Sequence, residues 1–450
     1  MLPAQTKNIL DTIRKLYRRN SKVTLYKVIN KMHPSQMANI YRYLNQSERE
    51  NIFKYILRMD GIGEFIKELD ETLTKDIFES LSRDEITTIL KHMTTEDIAE
   101  LVDELDDNIS DKIQNLLDQE ELVEIKEVLK YDDESAGRIM SHEFMAFDSD
   151  LTVQETIDRF QEYGEEIEMP FYLYITDKTQ RMIGVLSLRQ LLLHSSSAKL
   201  KSFMEKEFIY VSPDDDQEKV ANIVSEYNYL ALPVLNEDNK LVGIITVDDM
   251  MDVIREEATE DMLKMAGAGD DEDILLKSVF ENARTRFPWL MASWIGGLIA
   301  FYTIHSFQNI LDSTIILAGF IPIIIGMGGN IGTQTSTILV RGLATGHVNT
   351  NEFYKVIFKE VKVGFILGLL YGTLLGSLTS ILYQNNILLG LTVGISIALS
   401  MLIACSIASI IPILLYKIDM DPAIAAGPFV TTAIDVVGVM VYFVIASKLL

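Results

Sequence analysis

Five long apolar runs fill the C-terminal part of the sequence, and they restrict the chain to folds that place helices in a membrane. The runs cover residues 289–305, 314–340, 363–383, 387–416 and 422–447. A helix of about 17 to 25 apolar residues crosses the hydrocarbon core of a bilayer. The sequence therefore predicts a five-helix transmembrane domain over residues 287–450.

Basic residues in the short loops predict the orientation of these helices. Arg or Lys precedes the first run and lies between the second and third and between the fourth and fifth runs. The other two loops have neither. Because cytoplasmic loops carry an excess of Lys and Arg, we expect a multi-pass protein of the cell membrane with cytoplasmic N-terminal domains and the C-terminus outside. An odd number of spans does not divide into two equal repeats, whereas a symmetric dimer can form a pore on its axis.

Charge divides the sequence into two parts. The chain has 40 basic and 65 acidic residues, and six of each lie after residue 286, so the first 286 residues carry the whole net charge of −25. An acidic part of this kind repels phosphates, which argues against nucleic acid as a partner. It suits divalent cations, or it is a solvated surface. The single cysteine, Cys405, excludes an intrachain disulfide.

Residues 1–130 have the pattern of short stacked helices. Apolar residues recur at helical spacing, and new segments begin every ten to thirteen residues. Several segments open with a Ser or Thr followed by acids, in SEREN, SRDE and TTED, which is typical of helix N-termini. The sequence predicts an α-helical repeat N domain, and structure alone explains its pattern.

Residues 137–255 contain a duplication. MSHEFMAFDSDLTVQETI is matched by MEKEFIYVSPDDDQEKVANI, and each copy predicts a strand, a helix, two strands and a helix. The arrangement resembles an α/β tandem pair of CBS domains, over residues 131–200 and 201–255. Such domains commonly bind nucleotides through a Ser or Thr and an Asp that follow the last strand. Thr246 and Asp249 keep this pattern, but the first copy has Ser187 and Gln190, so ATP is a candidate ligand that the sequence disfavours.

Acidic residues recur three or four positions apart where the second copy leads towards the membrane domain. They are Asp249, Asp252, Glu256, Glu257, Glu260 and Asp261. On a helix several of them share one face and repel each other, so this face is either solvated or neutralised by a hard dication. Residues 256–286 are predicted to form a connecting helix, interrupted at Gly267 and Gly269, that transmits movements to the pore.

The second apolar run contains the unusual stretch PIIIGMGGNIGTQTST, residues 322–337. One interpretation is close helix packing through small residues. The other is pore lining, because Asn330 and Gln334 form a polar face and Gly328-Gly329 favours an irregular backbone. Irregular backbone at membrane depth lines water or protein.

Asp435 lies near the middle of the fifth run, where an ionised group costs about 3 kcal/mol. No Lys or Arg inside the runs is available to pair with it. Thr431, four residues earlier, lies on the same helix face. Two copies of Asp435 facing each other across a dimer axis would not both ionise, and Mg²⁺ held between them would remove the conflict. The alternative is a protonated Asp435 in a helix contact.

With these motifs in place, the chain resembles the MgtE family of magnesium channels over nearly its whole length. The most specific matches are PIIIGMGGNIGTQ and DPAIAAGPFVTTAID. The resemblance implies a homodimeric, Mg²⁺-selective uptake channel whose pore ion binds at Asp435. It also implies that Gly427, Thr431 and Asn330 line the path. Cytosolic Mg²⁺ would bind between the soluble domains, draw them together and close the pore.

The resemblance further implies a set of regulatory Mg²⁺ ligands. They are Asp421 at the cytoplasmic mouth; Glu64, Glu96 and Glu100 in the N domain; Asp216, Glu218, Asp249 and Asp252 in the second CBS domain; and Glu257, Glu260 and Asp261 in the connecting helix. One position departs from the family, because Asn228 stands where an acid is expected, which weakens one sensor site.

Two other classes of protein fit the residues less well. A CBS-regulated secondary transporter, proton-coupled through Asp435, would need a second membrane acid, and the five runs offer none. An intramembrane enzyme would need a His pair or a nucleophile with its base, and the runs contain neither. We therefore expect a protein that is not an enzyme.

Overall fold

The computed structural model describes residues 4–163, 171–269, 278–348, 353–383, 386–418 and 420–450. It divides into two compact units, Met1–Val253 and Ile254–Leu450. Residues 270–277, which the sequence assigned to the connecting helix, lie outside the described residues.

Ten short helices form the N domain, as the helical repeat predicted. Their apolar faces meet in one core that includes Ile13, Ile52, Phe65 and Phe78. The helices are α1 Ala4–Arg18, α2 Lys22–Ile29, α3 Pro34–Tyr41, α4 Gln46–Ile56, α5 Ile62–Lys67, α6 Glu71–Ser80, α7 Arg83–Leu90, α8 Thr95–Glu104, α9 Asp107–Gln114 and α10 Gln119–Val128.

Capping residues fix where several of these helices begin. Ser82 and Thr94 form capping boxes with Glu85 and Asp97, as SRDE and TTED suggested. In SEREN the cap is instead Asn45, whose side chain accepts a hydrogen bond from the Glu48 N–H. The amide oxygen of Asn45 serves the same purpose as a hydroxyl at this position.

The CBS pair follows within the same unit. After α11 Ala136–Ile139, the first copy has β1 Ala146–Asp148, α12 Val153–Tyr163, β2 Tyr172–Thr176, β3 Met182–Ser187 and α13 Leu188–Leu193. The second copy has α14 Gln217–Tyr227, β4 Ala231–Leu235, β5 Leu241–Thr246 and α15 Val247–Ala266. In the first sheet β1 pairs parallel to β2, and β2 antiparallel to β3. The expected first strand of the second copy is reduced to one parallel bridge between Val211 and Val234.

Five helices of the second unit are long and apolar enough to cross a membrane, which is the number that the sequence predicts. The helices of this unit are α16 Val279–Ser306, α17 Gln308–Ser313, α18 Ile321–Ala344, α19 Phe353–Leu382, α20 Ile387–Lys417, α21 Ala423–Ala426 and α22 Pro428–Leu449. Two of them begin about ten residues before the apolar runs, because polar turns extend α16 and α19 in front of their apolar segments.

A seam of glycines joins α19 and α20. A Cβ built on Gly368, Gly372 or Gly376 would lie 2.5–2.7 Å from a backbone carbonyl oxygen of α20. The opposing residues include Gly390 and Gly394. Backbone therefore contacts backbone along this pair, which is the close approach that small residues allow in membranes.

One local expectation about the membrane helices is wrong. The backbone of α18 stays α-helical through Gly328-Gly329, because its hydrogen-bond ladder continues and the side chain of Ile434 fills the space beside Gly328 and Gly332. The first membrane helix, α16, passes through Pro288 without a break. Gly427 separates α21 from α22.

Candidate functional site

Asp435 is held on α22 against α18 without a counter-charge. Its Oδ1 is buried and has no hydrogen-bond partner among the described residues. A Cβ built on Gly329 would lie 3.8 Å from this oxygen, so the glycine backbone of α18 faces it directly. No ion pair joins Asp435 to any described Lys, Arg or His. An orphaned carboxylate oxygen in a membrane helix has the chemistry of a ligand for a hard cation.

The start of α22 lies one helical turn before Thr431 and two before Asp435. Gly427 ends α21, and Pro428 is the first residue of α22. The Thr431 hydroxyl donates to the carbonyl oxygens of Pro428, at 3.2 Å, and Gly427, at 3.4 Å. A Cβ on Gly427 would lie 3.1 Å from the Lys264 carbonyl oxygen, so glycine allows the end of α15 to approach this point.

The two faces of α18 differ in burial, and each is compatible with one of the two interpretations of its glycine-rich sequence. Gly328 and Gly332 are buried and pack on Ile434 of α22. The opposite face is exposed and polar, with Asn330, Thr333, Gln334 and Thr337 at helical spacing. In a membrane such a face is compatible with water or a second copy of the chain rather than lipid.

A lysine lies among the acids predicted at the cytoplasmic mouth. Lys264 Nζ is 2.8 Å from Asp421 Oδ2 and 2.6 Å from Glu260 Oε1. The other oxygen of Asp421 accepts the Ala423 N–H at 2.7 Å, at the start of α21. Burial, followed by the nearby Asp421 carboxylate, raises the pKa of Asp261 to about 6. These residues therefore form one charged cluster that is partly neutralised by the chain itself.

A second lysine lies among acids of the N domain and the second CBS domain. Lys67 Nζ is 3.3 Å from Asp97 Oδ1 and 3.5 Å from Asp249 Oδ1. Asp249 also accepts a hydrogen bond from the Thr246 hydroxyl. Burial raises the pKa of Asp249, and Lys67 opposes this effect.

The remaining predicted regulatory ligands have other neighbours. Glu96 Oε1 accepts from the His142 N–H at 3.0 Å and lies 2.9 Å from His142 Nδ1. The hydrogen bond to Glu96 raises the pKa of His142. Glu64 lies 3.5 Å from His33, and Asp216 caps α14 by accepting the Glu218 N–H.

The structure does not gather the predicted regulatory ligands into a preformed cage. Within the described ranges, no three His, Cys, Asp or Glu side chains are arranged to hold a metal ion. Asp252 and Glu257 interact with other residues. Asn228, the departure noted in the sequence, ends α14 in a left-handed conformation with φ 56°, which asparagine tolerates well. The assignment of all these residues to Mg²⁺ remains a prediction.

Three charged residues escaped the sequence reasoning. Lys264 had a local signal, because it follows Glu260 by four residues on a helix. Lys67 had none, since its partner Asp249 lies far along the chain. Glu360 is buried inside α19, where its Oε2 lies 3.4 Å from the Thr335 hydroxyl. Its spacing of four from Gly364, and of eight from Gly368, places it on the buried face of the helix.

Family comparisons agree with this architecture segment by segment. Residues 321–445 match the family described as a divalent cation transporter. Residues 32–134 match the MgtE intracellular N domain, and residues 136–197 and 200–256 each match a CBS domain. The fold and these matches define a membrane transporter of divalent cations with a soluble cytosolic part.

Whole-chain relatives narrow this class. The chain is 33% identical over 420 residues to the magnesium transporter MgtE of Bacillus subtilis, covering 93% of this chain and 92% of that one. It is 33% identical to MgtE of Enterococcus faecalis, covering 92% and 91%, and 32% identical to MgtE of Thermus thermophilus, covering 74% of each. The chain belongs to the MgtE family of magnesium transporters.

Two of the solved structures that match this chain cover most of its soluble part. The soluble part of a magnesium transporter is 28% identical, covers 56% of this chain and 99% of that one, and superposes with a TM-score of 0.51. The cytosolic domain of the Mg²⁺ channel MgtE in complex with ATP is 25% identical, covers 54% and 99%, and has the same TM-score of 0.51.

Proposed function

We propose that this magnesium transporter is a Mg²⁺-selective channel whose ion binds at Asp435. The observation that carries this proposal is the buried Asp435 Oδ1, which lacks a hydrogen-bond partner and faces the backbone of Gly329. Mg²⁺ gives up its waters reluctantly and is commonly held by one or two carboxylates together with its own waters. A single orphaned carboxylate one helical turn after Thr431 suits a partly hydrated Mg²⁺ better than a cage of ligands would.

A symmetric dimer completes the path in this proposal. The exposed polar face of α18, which carries Asn330 and Gln334, needs a neighbour other than lipid. A second copy across a two-fold axis would supply the same face and a second Asp435. The acidic N-terminal domains then lie in the cytoplasm and the C-terminus outside, as the loop charges predict.

Cytosolic Mg²⁺ closes the channel in this proposal. Without Mg²⁺, the carboxylates of the N domain, CBS pair and α15 repel each other, which weakens the contact between the domains. Mg²⁺ bridges them, and each bound ion acts only through its preference for the closed state. The predicted ligands that remain to be tested in this role include Glu64, Glu100, Asp216, Glu218 and Glu257.

Mg²⁺ flux into liposomes tests the ion path. With little Mg²⁺ inside, Asp435→Asn should reduce the flux about 100-fold or more, because the carboxylate offsets a cost of about 3 kcal/mol for a charge at mid-membrane. Asp312→Asn, on the exposed helix α17, is the matched control and should keep wild-type flux. Unchanged flux in a folded Asp435→Asn variant would make Asp435 a structural residue and move the path elsewhere.

A proton-coupled secondary transporter is the second candidate, and Glu360 favours it. The sequence interpretation placed no second acid in a span, but Glu360 lies inside the candidate membrane helix α19 and is buried. Flux measured with and without a pH gradient separates the two candidates. If the flux depends on the pH gradient and Glu360→Gln abolishes this dependence, the transporter is supported. If neither the gradient nor the substitution changes the flux, the channel is supported.

ATP is a further ligand suggested by the relative that was solved in complex with it. In this chain Ser187 and Gln190 form a capping box, so the first copy presents no acid to a ribose. The acid of the second copy, Asp249, is engaged by Thr246 and Lys67. We therefore expect weak ATP binding or none, and calorimetric titration of the full chain tests this expectation.

A further inference from the structure

Lys67 connects two domains of the soluble unit through carboxylates. It is the last residue of α5 in the N domain, and Asp97 lies in the first turn of α8 in the same domain. Asp249 lies in the first turn of α15, which follows the last strand of the second CBS domain. The ammonium of Lys67 is thus shared between an acid of each domain, at 3.3 and 3.5 Å.

The surroundings favour a cation at this position. The side chains of Asp97 and Asp249 are only 15% and 23% exposed, and that of Lys67 is 37% exposed. Burial opposes the charge of Lys67, but Asp97, Asp249 and Glu100 outweigh it and raise the pKa of the lysine above its ordinary value. The lysine therefore stays charged, and one positive charge faces three carboxylates.

Mg²⁺ would seek the same oxygens. Two of these acids, Asp249 and Glu100, belong to the predicted regulatory ligands, and a hard dication prefers carboxylate oxygens. A dication and the Lys67 ammonium do not fit among the same three acids without repulsion. Either the lysine withdraws or Mg²⁺ binds there weakly.

We propose that Lys67 is a built-in cation that holds the N domain against the second CBS domain when Mg²⁺ is scarce and competes with Mg²⁺ for Asp97 and Asp249. Its effect on gating rests on the proposed function, whereas its effect on domain contact does not. In this chain the contact persists at low Mg²⁺, and the domains respond to Mg²⁺ less steeply than bare acids would. The hydrogen bonds between His142 and Glu96 add a second link between the N domain and the CBS pair.

Hydrogen–deuterium exchange of the full-length protein in detergent micelles tests the contact. In EDTA, Lys67→Gln should speed exchange in the first turns of α8 and α15 about fivefold, the effect of losing one partly exposed ion pair. Excess Mg²⁺ should restore protection in this variant, since the acids are then free to bind it. Lys75→Gln is the matched control, because Lys75 pairs with Asp106 within the N domain.

Lys67→Arg separates charge from packing. It keeps the positive charge and should retain the protection of the wild type. If Lys67→Arg loses as much protection as Lys67→Gln, or if Lys67→Gln exchanges like the wild type in EDTA, the proposal is wrong. Failure of Mg²⁺ to restore protection would also overturn it. The double variant Lys67→Gln/Asp249→Asn gives a second measurement. If Lys67 and Asp249 interact, the double variant changes the exchange rate by less than the two single variants do together.

Measurements of Mg²⁺ flux in liposomes distinguish a failure of the Lys67 proposal from a failure of the proposed gating by Mg²⁺. If Mg²⁺ on the cytosolic side closes the wild type but Lys67→Gln closes at the same concentration, with no change in exchange, only the role of Lys67 is wrong. If Mg²⁺ does not close even the wild type, the gating proposal is wrong, and the exchange data still decide whether Lys67 holds the two domains together.

Discussion

Carboxylates are neutralised differently outside and inside the membrane helices. In the soluble unit, Asp97 and Asp249 share Lys67. In the second unit, Asp421 and Glu260 share Lys264 near the end of α15, outside the membrane helices. In the membrane helices, Asp435 has a buried oxygen without a hydrogen-bond partner and no ion pair among the described residues. The chain thus supplies its own cations outside the membrane helices and leaves the charge of Asp435 to another group.

This difference indicates where a mobile cation has the most to gain. At the lysine clusters an incoming Mg²⁺ must compete with an ammonium for the same carboxylates. The net binding free energy of Mg²⁺ is therefore its attraction to the carboxylates minus the attraction that the lysine loses. At Asp435 it meets a carboxylate whose desolvation is already part of the fold. We therefore expect occupancy at Asp435 to determine transport, and occupancy at the lysine clusters to adjust it.

The largest effect on transport is expected when a cation is placed beside Asp435. Gly329 is the position to use, because a Cβ there lies 3.8 Å from Asp435 Oδ1, an ordinary contact. Gly329→Lys should reduce Mg²⁺ flux about 100-fold, since the ammonium takes the place of the ion. Gly329→Met has the same length without the charge and should retain most of the flux. Equal loss in both variants would show that bulk, and not charge, blocks the path.

A smaller effect, on stability, is expected when the lysine is removed from the cluster at the end of α15. Lys264→Met leaves Glu260 and Asp421 facing each other without an ammonium, so in EDTA the melting temperature should fall by about 3 °C. Added Mg²⁺ should recover this loss by taking the vacated position. Lys448→Met, in the last turn of α22, serves as the control. A loss that Mg²⁺ does not recover would mean that the cluster cannot accept the ion.

The smallest expected effect is a pH-dependent one at Asp261. Its pKa of about 6 in the folded protein lies above its ordinary value, so the folded state binds the proton more tightly than the unfolded state. Ionising Asp261 therefore lowers the free energy of unfolding. This loss of stability begins above about pH 4 and is complete above about pH 6. In EDTA, Asp261→Asn should raise the melting temperature by about 2 °C at about pH 8 and leave it unchanged at about pH 4. Equal stabilisation at both pH values would contradict this account.

Much of the architecture was predictable from the sequence because it rests on local periodicity. Apolar run length gave the five membrane helices, and helical spacing gave the N domain. The duplication of short strands and helices gave the CBS pair, and the sequence matches confirm it. The expectation at Gly328-Gly329 failed because Ile434 of another helix fills the space beside Gly328, and Asp435 of the same helix lies beside Gly329, which no local pattern reveals.

The candidate site divides in the same way. Asp435 was identifiable because a lone acid in an apolar run is itself a signal. The position of Gly329 opposite Asp435, the exposure of Asn330 and the burial of Glu360 depend on how α18, α19 and α22 pack. Lys67 illustrates the limit most clearly, because it is an ordinary surface lysine in the sequence and becomes significant only through Asp249.

The glycine seam between α19 and α20 has a consequence for how the chain enters the membrane. The facing ends of these helices, Leu382 and Ile387, are close in sequence, and their backbones touch along Gly368, Gly372 and Gly376. The two helices can therefore leave the translocation machinery as one paired hairpin. The helix that carries Asp435 follows α16, α18 and α20 in the chain and packs on all three. Asp435, the proposed ion ligand, is therefore added to the growing chain only after the helices on which α22 packs.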